Sequence, residues 1–222
     1  MYFALFIGIA LLSWAVSGLL NHRCKEYSQV YLPMTGREVA EKMLRDHGIT
    51  DVKVISTPGH LTDHYDPRNK TVNLSQSVYN SNSVAAAAVA AHECGHAVQH
   101  ACAYAPLKMR SALVPVVNFA SKWLTWVLLG GILLIETFPQ LLLAGIILYG
   151  LTTVFAFVTL PVEMNASKRA ILWLEQAGIS DRQTTPMASA ALRSAAYTYV
   201  VAALSSLGTL IYYIMIFMGR RD

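Results

Sequence analysis

The sequence predicts a mainly α-helical protein that crosses a membrane about four times and carries a small α+β polar part at one face. Three observations predict it. Of 222 residues, 55% are hydrophobic and only 14% are charged, against about 25% charged in a soluble domain; mean hydropathy is +0.42. Four segments each approach or exceed the ~20 apolar residues that a bilayer requires. Between the first two lies a polar stretch with the capping and turn residues of short folded elements. The net charge of +4 does not point to nucleic acid, because the Lys and Arg residues form no dense basic run and no aromatic-interleaved patch. The expected partner from composition is the lipid bilayer.

The first apolar segment, residues 2–20, has no charged leader and no clear cleavage site, so it reads as an anchor and not as a removed signal peptide. The second, about 112–135, carries Pro115, Asn118 and Lys122; the third, 139–160, is almost wholly apolar; the fourth is 197–218. Ten Lys and Arg fall between the first and second spans and four between the third and fourth, with none in the link around Glu136. The positive-inside rule places both basic segments in the cytoplasm and the N-terminus and Glu136 link outside. Arg220 and Arg221 at the end of the chain run against that orientation. The expected division is an anchor over 1–20, a cytoplasmic segment over 21–110, a membrane hairpin over 111–160, cytoplasmic helices over 161–196, and a last span with its tail over 197–222. The hairpin returns the chain to one side, so residues near His92 can meet residues just after the third span.

Residues 35–47 read as an amphipathic helix. Thr35 and Glu38 form a capping box, Val39, Met43 and Leu44 make the apolar stripe, and Gly48 ends it. A short strand is expected over 52–56. Two more, over 60–65 and 70–74, flank the turn residues Asp66, Pro67, Arg68 and Asn69. Three cysteines, Cys24, Cys94 and Cys102, are an odd number without a CxxC pair. They read as small buried hydrophobes, not as a disulfide framework.

The stretch SVAAAAVAAHECGH is a helix by its alanines, with Ser83 as its cap. On a helix His92 and His96 share a face, and two imidazoles so placed can hold one zinc ion. Glu93 is rotated from them by ~100°, free to act as general base on an attacking water. A catalytic zinc needs a third protein ligand and an open position. His100 lies ~12 Å along the axis from His92, so it reads as a supporting or surface residue. His60 and His64 remain candidates from the hairpin. Glu163, just after the third span, is favoured over His64, Glu175 and Asp181, because a carboxylate there is costly without a partner. Manganese or cobalt would suit the same ligands, with zinc preferred.

The segments LTDHYDPRNKTVNLS, SVAAAAVAAHECGHAVQH and LPVEMNASKRA, in this order, resemble the YugP-like zinc-dependent membrane peptidases of bacteria. The resemblance covers most of the chain. It implies a gluzincin-type site with one zinc ion on His92, His96 and Glu163, Glu93 as catalytic base, and a bacterial inner-membrane location. The chain is also similar to the HtpX-type membrane peptidases, whose third ligand sits in an E-x-x-A-D pattern. Ser167 replaces that Asp here, which leaves the support of the ligand histidine open, with Asn165 as a substitute. Arg169 either pairs with Glu163 or meets lipid headgroups. For the oxyanion, Arg193, Tyr197 and Tyr199 are candidates, and Tyr197 is preferred, although a Tyr there also reads as an interface anchor. Lys70, Thr71, Val72, Asn73, Leu74 and Ser75 are the candidate sheet edge for a substrate strand.

The expected function is hydrolysis of peptide bonds in membrane or membrane-adjacent proteins. Two rivals compete with it. A catalytically inert zinc-binding scaffold or chaperone subunit would have no need of Glu93. A metal transporter would need a polar membrane interior, and Lys122 and Asn118 are a poor cation path.

Overall fold

The computed structural model describes residues 2–59 and 61–219, with backbone only for 2–5. His60, Arg220 and Arg221 lie outside the described residues. The chain runs α1 (Tyr2–Tyr27), α2 (Gly36–Asp46), β1 (Lys53–Thr57), β2 (His64–Asp66), β3 (Thr71–Ser75), α3 (Gln76–Tyr79), α4 (Val84–Ala101), α5 (Ala105–Leu133), α6 (Pro139–Gln176) and α7 (Thr184–Gly219). It is mainly helical with one small sheet.

The polar part forms as its local signals require. Glu38 Oε2 accepts the Thr35 backbone N–H at 2.7 Å, and the Glu38 N–H donates to Thr35 Oγ1 at 3.3 Å, which completes the capping box. The apolar stripe of α2, Val39, Met43 and Leu44, is buried against Val72 and Leu74 of β3 and the alanine face of α4. Gly48 ends the helix at φ +69°, where a side chain would be strained. The Ser83 hydroxyl caps α4 by accepting the Ala86 N–H at 3.2 Å.

The sheet overturns one expectation. Its order is β1-β3-β2, with β1 parallel and β2 antiparallel to β3. β3, which contains most of Lys70 to Ser75, is therefore the central strand. Lys53 to Thr57 pair with Thr71 to Ser75 on one side, and His64 to Asp66 pair with Asn73 to Thr71 on the other. Its backbone hydrogen bonds are spent inside the sheet, so it is no free edge for a substrate. The free edges are β1 and β2.

Among the described residues, α5, α6 and α7 are long and apolar enough to cross a membrane. Each outruns its expected span. In particular α6 continues unbroken from the apolar stretch through Pro161 to Gln176, and α7 begins well before Tyr197. The helix that carries the apolar stretch therefore also carries Glu163, two residues beyond Pro161. Phe119, Trp126 and Leu133 of α5 are exposed, as lipid-facing side chains would be. Of the cysteines only Cys94 is buried; Cys24 is half-buried and Cys102 exposed.

Candidate metal centre

Helix α4 is the floor of the site. It is buried among α2, α6, α7 and the sheet because its alanines and Gly95 leave room for other backbones. A Cβ built on Gly95 would stand 2.7 Å from the carbonyl oxygen of Ala166 on α6. That close approach brings Glu163, one turn before Ala166, over the histidines.

His92 and His96 stack one turn apart, with ring centroids 4.8 Å from each other. Their Nε2 atoms both face Glu163 Oε2, at 3.2 Å from His92 and 3.5 Å from His96. Two ligands ~2.0–2.1 Å from a tetrahedral zinc stand roughly 3.4 Å apart, so these separations fit one ion. The three residues offer ligand atoms that all lie within 4.8 Å of one another. Their side chains are 14%, 10% and 4% exposed, and buried groups of this kind are stable only when partnered.

The second ring nitrogens hold the histidines in place. His96 Nδ1 lies 3.1 Å from Gln99 Oε1, and His92 Nδ1 lies 3.1 Å from Ser167 Oγ. With each Nδ1–H donating to those oxygens, each Nε2 is left with a lone pair for a metal. Gln99 is fully buried and is itself fixed, donating from Nε2 to the Val162 carbonyl at 2.8 Å and to Asn165 Oδ1 at 3.0 Å. Arg169 Nε completes the chain with a 2.8 Å bond to the same Asn165 oxygen. Burial on its own would lower the His96 pKa. The hydrogen bond to Glu163, the charges of Glu93 and Glu163, and the Gln99 contact outweigh it and raise the pKa above the usual histidine value.

Several expectations change here. Ser167, which stands where the HtpX-type pattern has Asp, does the supporting itself, at His92. Asn165 reaches His96 only through Gln99. Arg169 pairs with Asn165 and approaches Cys102, not Glu163. The cation on Glu163 is Arg110, whose Nη1 donates to Oε1 at 3.3 Å. His64 is exposed and bonds the Thr62 carbonyl. His100 is exposed against the Tyr65 hydroxyl. Asp181 caps the start of α7 by accepting the Thr184 N–H. None of these three joins the metal cluster.

Gln99 was legible as the residue three beyond His96 on one helix face, and Ser167 as the residue four beyond Glu163. Arg110 carried no local signal.

A cavity of about 140 Å³ opens beside the cluster, lined by His92, Glu93, Glu163, Ser167, Leu61 and Tyr199 among others. Glu93 is buried at its wall, next to His96 but outside the ligand set. Tyr197 and Arg193 line a different groove, on the outer faces of α6 and α7. The tyrosine that reaches the site is Tyr199, because two residues along a helix turn ~200° to the opposite face.

The chain matches, over residues 2–218, the profile of a family described as "Putative neutral zinc metallopeptidase". It is 44% identical over 188 residues to "Putative membrane protease YugP" of Bacillus subtilis (strain 168), covering 85% of this chain and 83% of that protein. No solved structure matches it. With this profile spanning nearly all of its length, the chain belongs to the neutral zinc metallopeptidase family so described.

Proposed function

We propose that the protein is an integral-membrane zinc endopeptidase that hydrolyses membrane or membrane-adjacent polypeptides, with its site on the cytoplasmic face of a bacterial inner membrane. The observation that carries this reading is the convergence of His92 Nε2, His96 Nε2 and Glu163 Oε2, with Glu93 buried beside them but not among the ligands. A structural zinc takes four protein ligands; a catalytic one takes three and leaves a position open. In this reading α1 is the fourth span, supported by its 26 residues and its exposed Leu11 and Trp14.

His92, His96 and Glu163 would hold one zinc ion. Bound there, zinc supplies a Lewis acid for the scissile carbonyl and acidifies the attacking water. Glu93 takes the proton of that water and passes it to the leaving amine. Tyr199, at the cavity wall, is placed to donate to the oxyanion of the tetrahedral intermediate. The outer edge of β2, which packs on α4, replaces β3 as the edge against which the substrate backbone lies.

The test is to purify wild type and Glu93→Gln in detergent, measure zinc, and incubate both with an unfolded protein such as casein. One zinc in both and cleavage by wild type alone is the expected result. Zinc in both with cleavage by neither, across several unfolded substrates, favours the inert scaffold. Absence of zinc from wild type removes the reading.

A further inference from the structure

The Glu163 carboxylate divides its two oxygens between different partners. Oε2 faces both histidine Nε2 atoms, at 3.2 and 3.5 Å. Oε1 accepts a hydrogen bond from Arg110 Nη1 at 3.3 Å. Arg110 is the one Lys or Arg ion-paired with Glu163 among the described residues. It stands near the start of α5, and the α5–α6 hairpin returns the chain so that it meets a residue 53 positions later. Glu163 is almost fully buried, whereas Arg110 is 31% exposed and lines a separate cavity beside His96.

We propose that Arg110 is a positioning residue for the metal centre: it holds Glu163 on a single oxygen and so keeps one coordination position open. The inference rests on the zinc-peptidase reading. A carboxylate has two equivalent oxygens, and both can reach one cation when nothing distinguishes them. A second Glu163 bond would fill the place that a catalytic zinc keeps for water. A guanidinium N–H on Oε1 occupies the lone pairs that this bond needs, and a charge-assisted hydrogen bond is about twice as strong as a neutral one. The planar fork of Arg fixes direction as well as charge, which the point charge of Lys does not. Partners of metal ligands, when removed, typically change metal affinity or activity by about 10–100-fold.

Charge compensation of a buried carboxylate is the competing explanation for Arg110, and it makes a different prediction. Compensation alone leaves the number of metal–oxygen bonds unaffected by removal of the cation. The test therefore counts bonds. X-ray absorption on the zinc-loaded full-length protein in detergent gives the coordination number, and visible spectra of the cobalt-loaded protein separate four-coordinate from five-coordinate metal. Wild type is expected to show one Glu163 oxygen and an intense four-coordinate cobalt band. Arg110→Gln is expected to retain one metal per chain, gain a metal–oxygen bond, lose most of that band, and lose at least about tenfold in peptide hydrolysis. Arg110→Lys should recover the band only in part.

Two bound Glu163 oxygens in wild type would overturn the inference, and this measurement needs no variant to fold. So would an unchanged cobalt spectrum in Arg110→Gln. A wild type that takes up neither metal fails at the earlier step, and it removes the zinc reading together with this one.

Discussion

Gly95→Ala is the sharpest probe of how the site is assembled. The variant adds one methyl group three residues beyond His92, on the side of α4 that meets α6, and leaves every ligand intact. The built Cβ falls 2.7 Å from the Ala166 carbonyl oxygen, 3.1 Å from its Cα and 3.2 Å from its carbonyl carbon. All three are backbone atoms, so no side chain can swing aside. Ordinary contact begins near 3.4 Å, so α6 has to retreat by about 0.7 Å. Glu163 rides on the same turn of α6, and metal–ligand distances tolerate about ±0.2 Å. Zinc affinity should therefore fall by about tenfold or more, as it typically does when the groups that orient metal ligands are changed. Stability should change less. Overpacking costs about 1–3 kcal/mol, and replacing Gly by Ala inside a helix returns about 1 kcal/mol, for a net loss of about 0–2 kcal/mol. The assay is a zinc competition titration beside thermal unfolding in detergent. Gly150→Ala is the control, since nothing lies within 4 Å of its added Cβ. Zinc affinity within about twofold of wild type would refute the argument that close approach of α4 and α6 sets the metal geometry.

Three further outcomes follow from the same geometry. Gln99→Leu removes the acceptor for buried His96 Nδ1 and the donor to the Val162 carbonyl and Asn165 Oδ1; zinc affinity should fall about 10–100-fold, with about 1–3 kcal/mol lost in unfolding. Tyr199→Phe should lower the turnover number by up to about 10²-fold if its hydroxyl meets the oxyanion. Zinc content should stay unchanged, and Tyr197→Phe, on the other groove, should change neither turnover nor zinc content. Zinc binding should also strengthen as pH rises. Zinc must displace protons from the histidines, and the metal-free site holds His96 above its usual pKa. The protonated form is thus favoured to a higher pH than for a free imidazole, and affinity should still be climbing above the usual histidine range. An affinity independent of pH from 6 to 8, titrated by competition in about unit steps, would contradict the raised His96.

What the amino-acid sequence determined by itself is the part that helix geometry dictates. A rise of ~1.5 Å and a turn of ~100° per residue put His92 and His96 on one face and Glu93 off it, wherever α4 is placed. The capping residues Thr35, Glu38 and Ser83 act on backbone within one turn, so their helices began as expected. The long apolar stretches announced a membrane protein by composition alone. Glu163 was legible because a lone carboxylate beside an apolar span needs a partner.

What only the tertiary structure decided depends on segments that meet across the chain. The order β1-β3-β2 is set by how two strands from different loops pack against a third, and it leaves the free edges at β1 and β2 instead of β3. Arg110 and Glu163 meet because a hairpin folds α5 on α6. Ser167 reaches His92, and Tyr199 faces the cavity that Tyr197 does not, because α6 and α7 are rotated into place by packing against α4. Those rotations follow from the fit of small residues such as Gly95 and Ala166, a property of two surfaces together that neither segment carries alone.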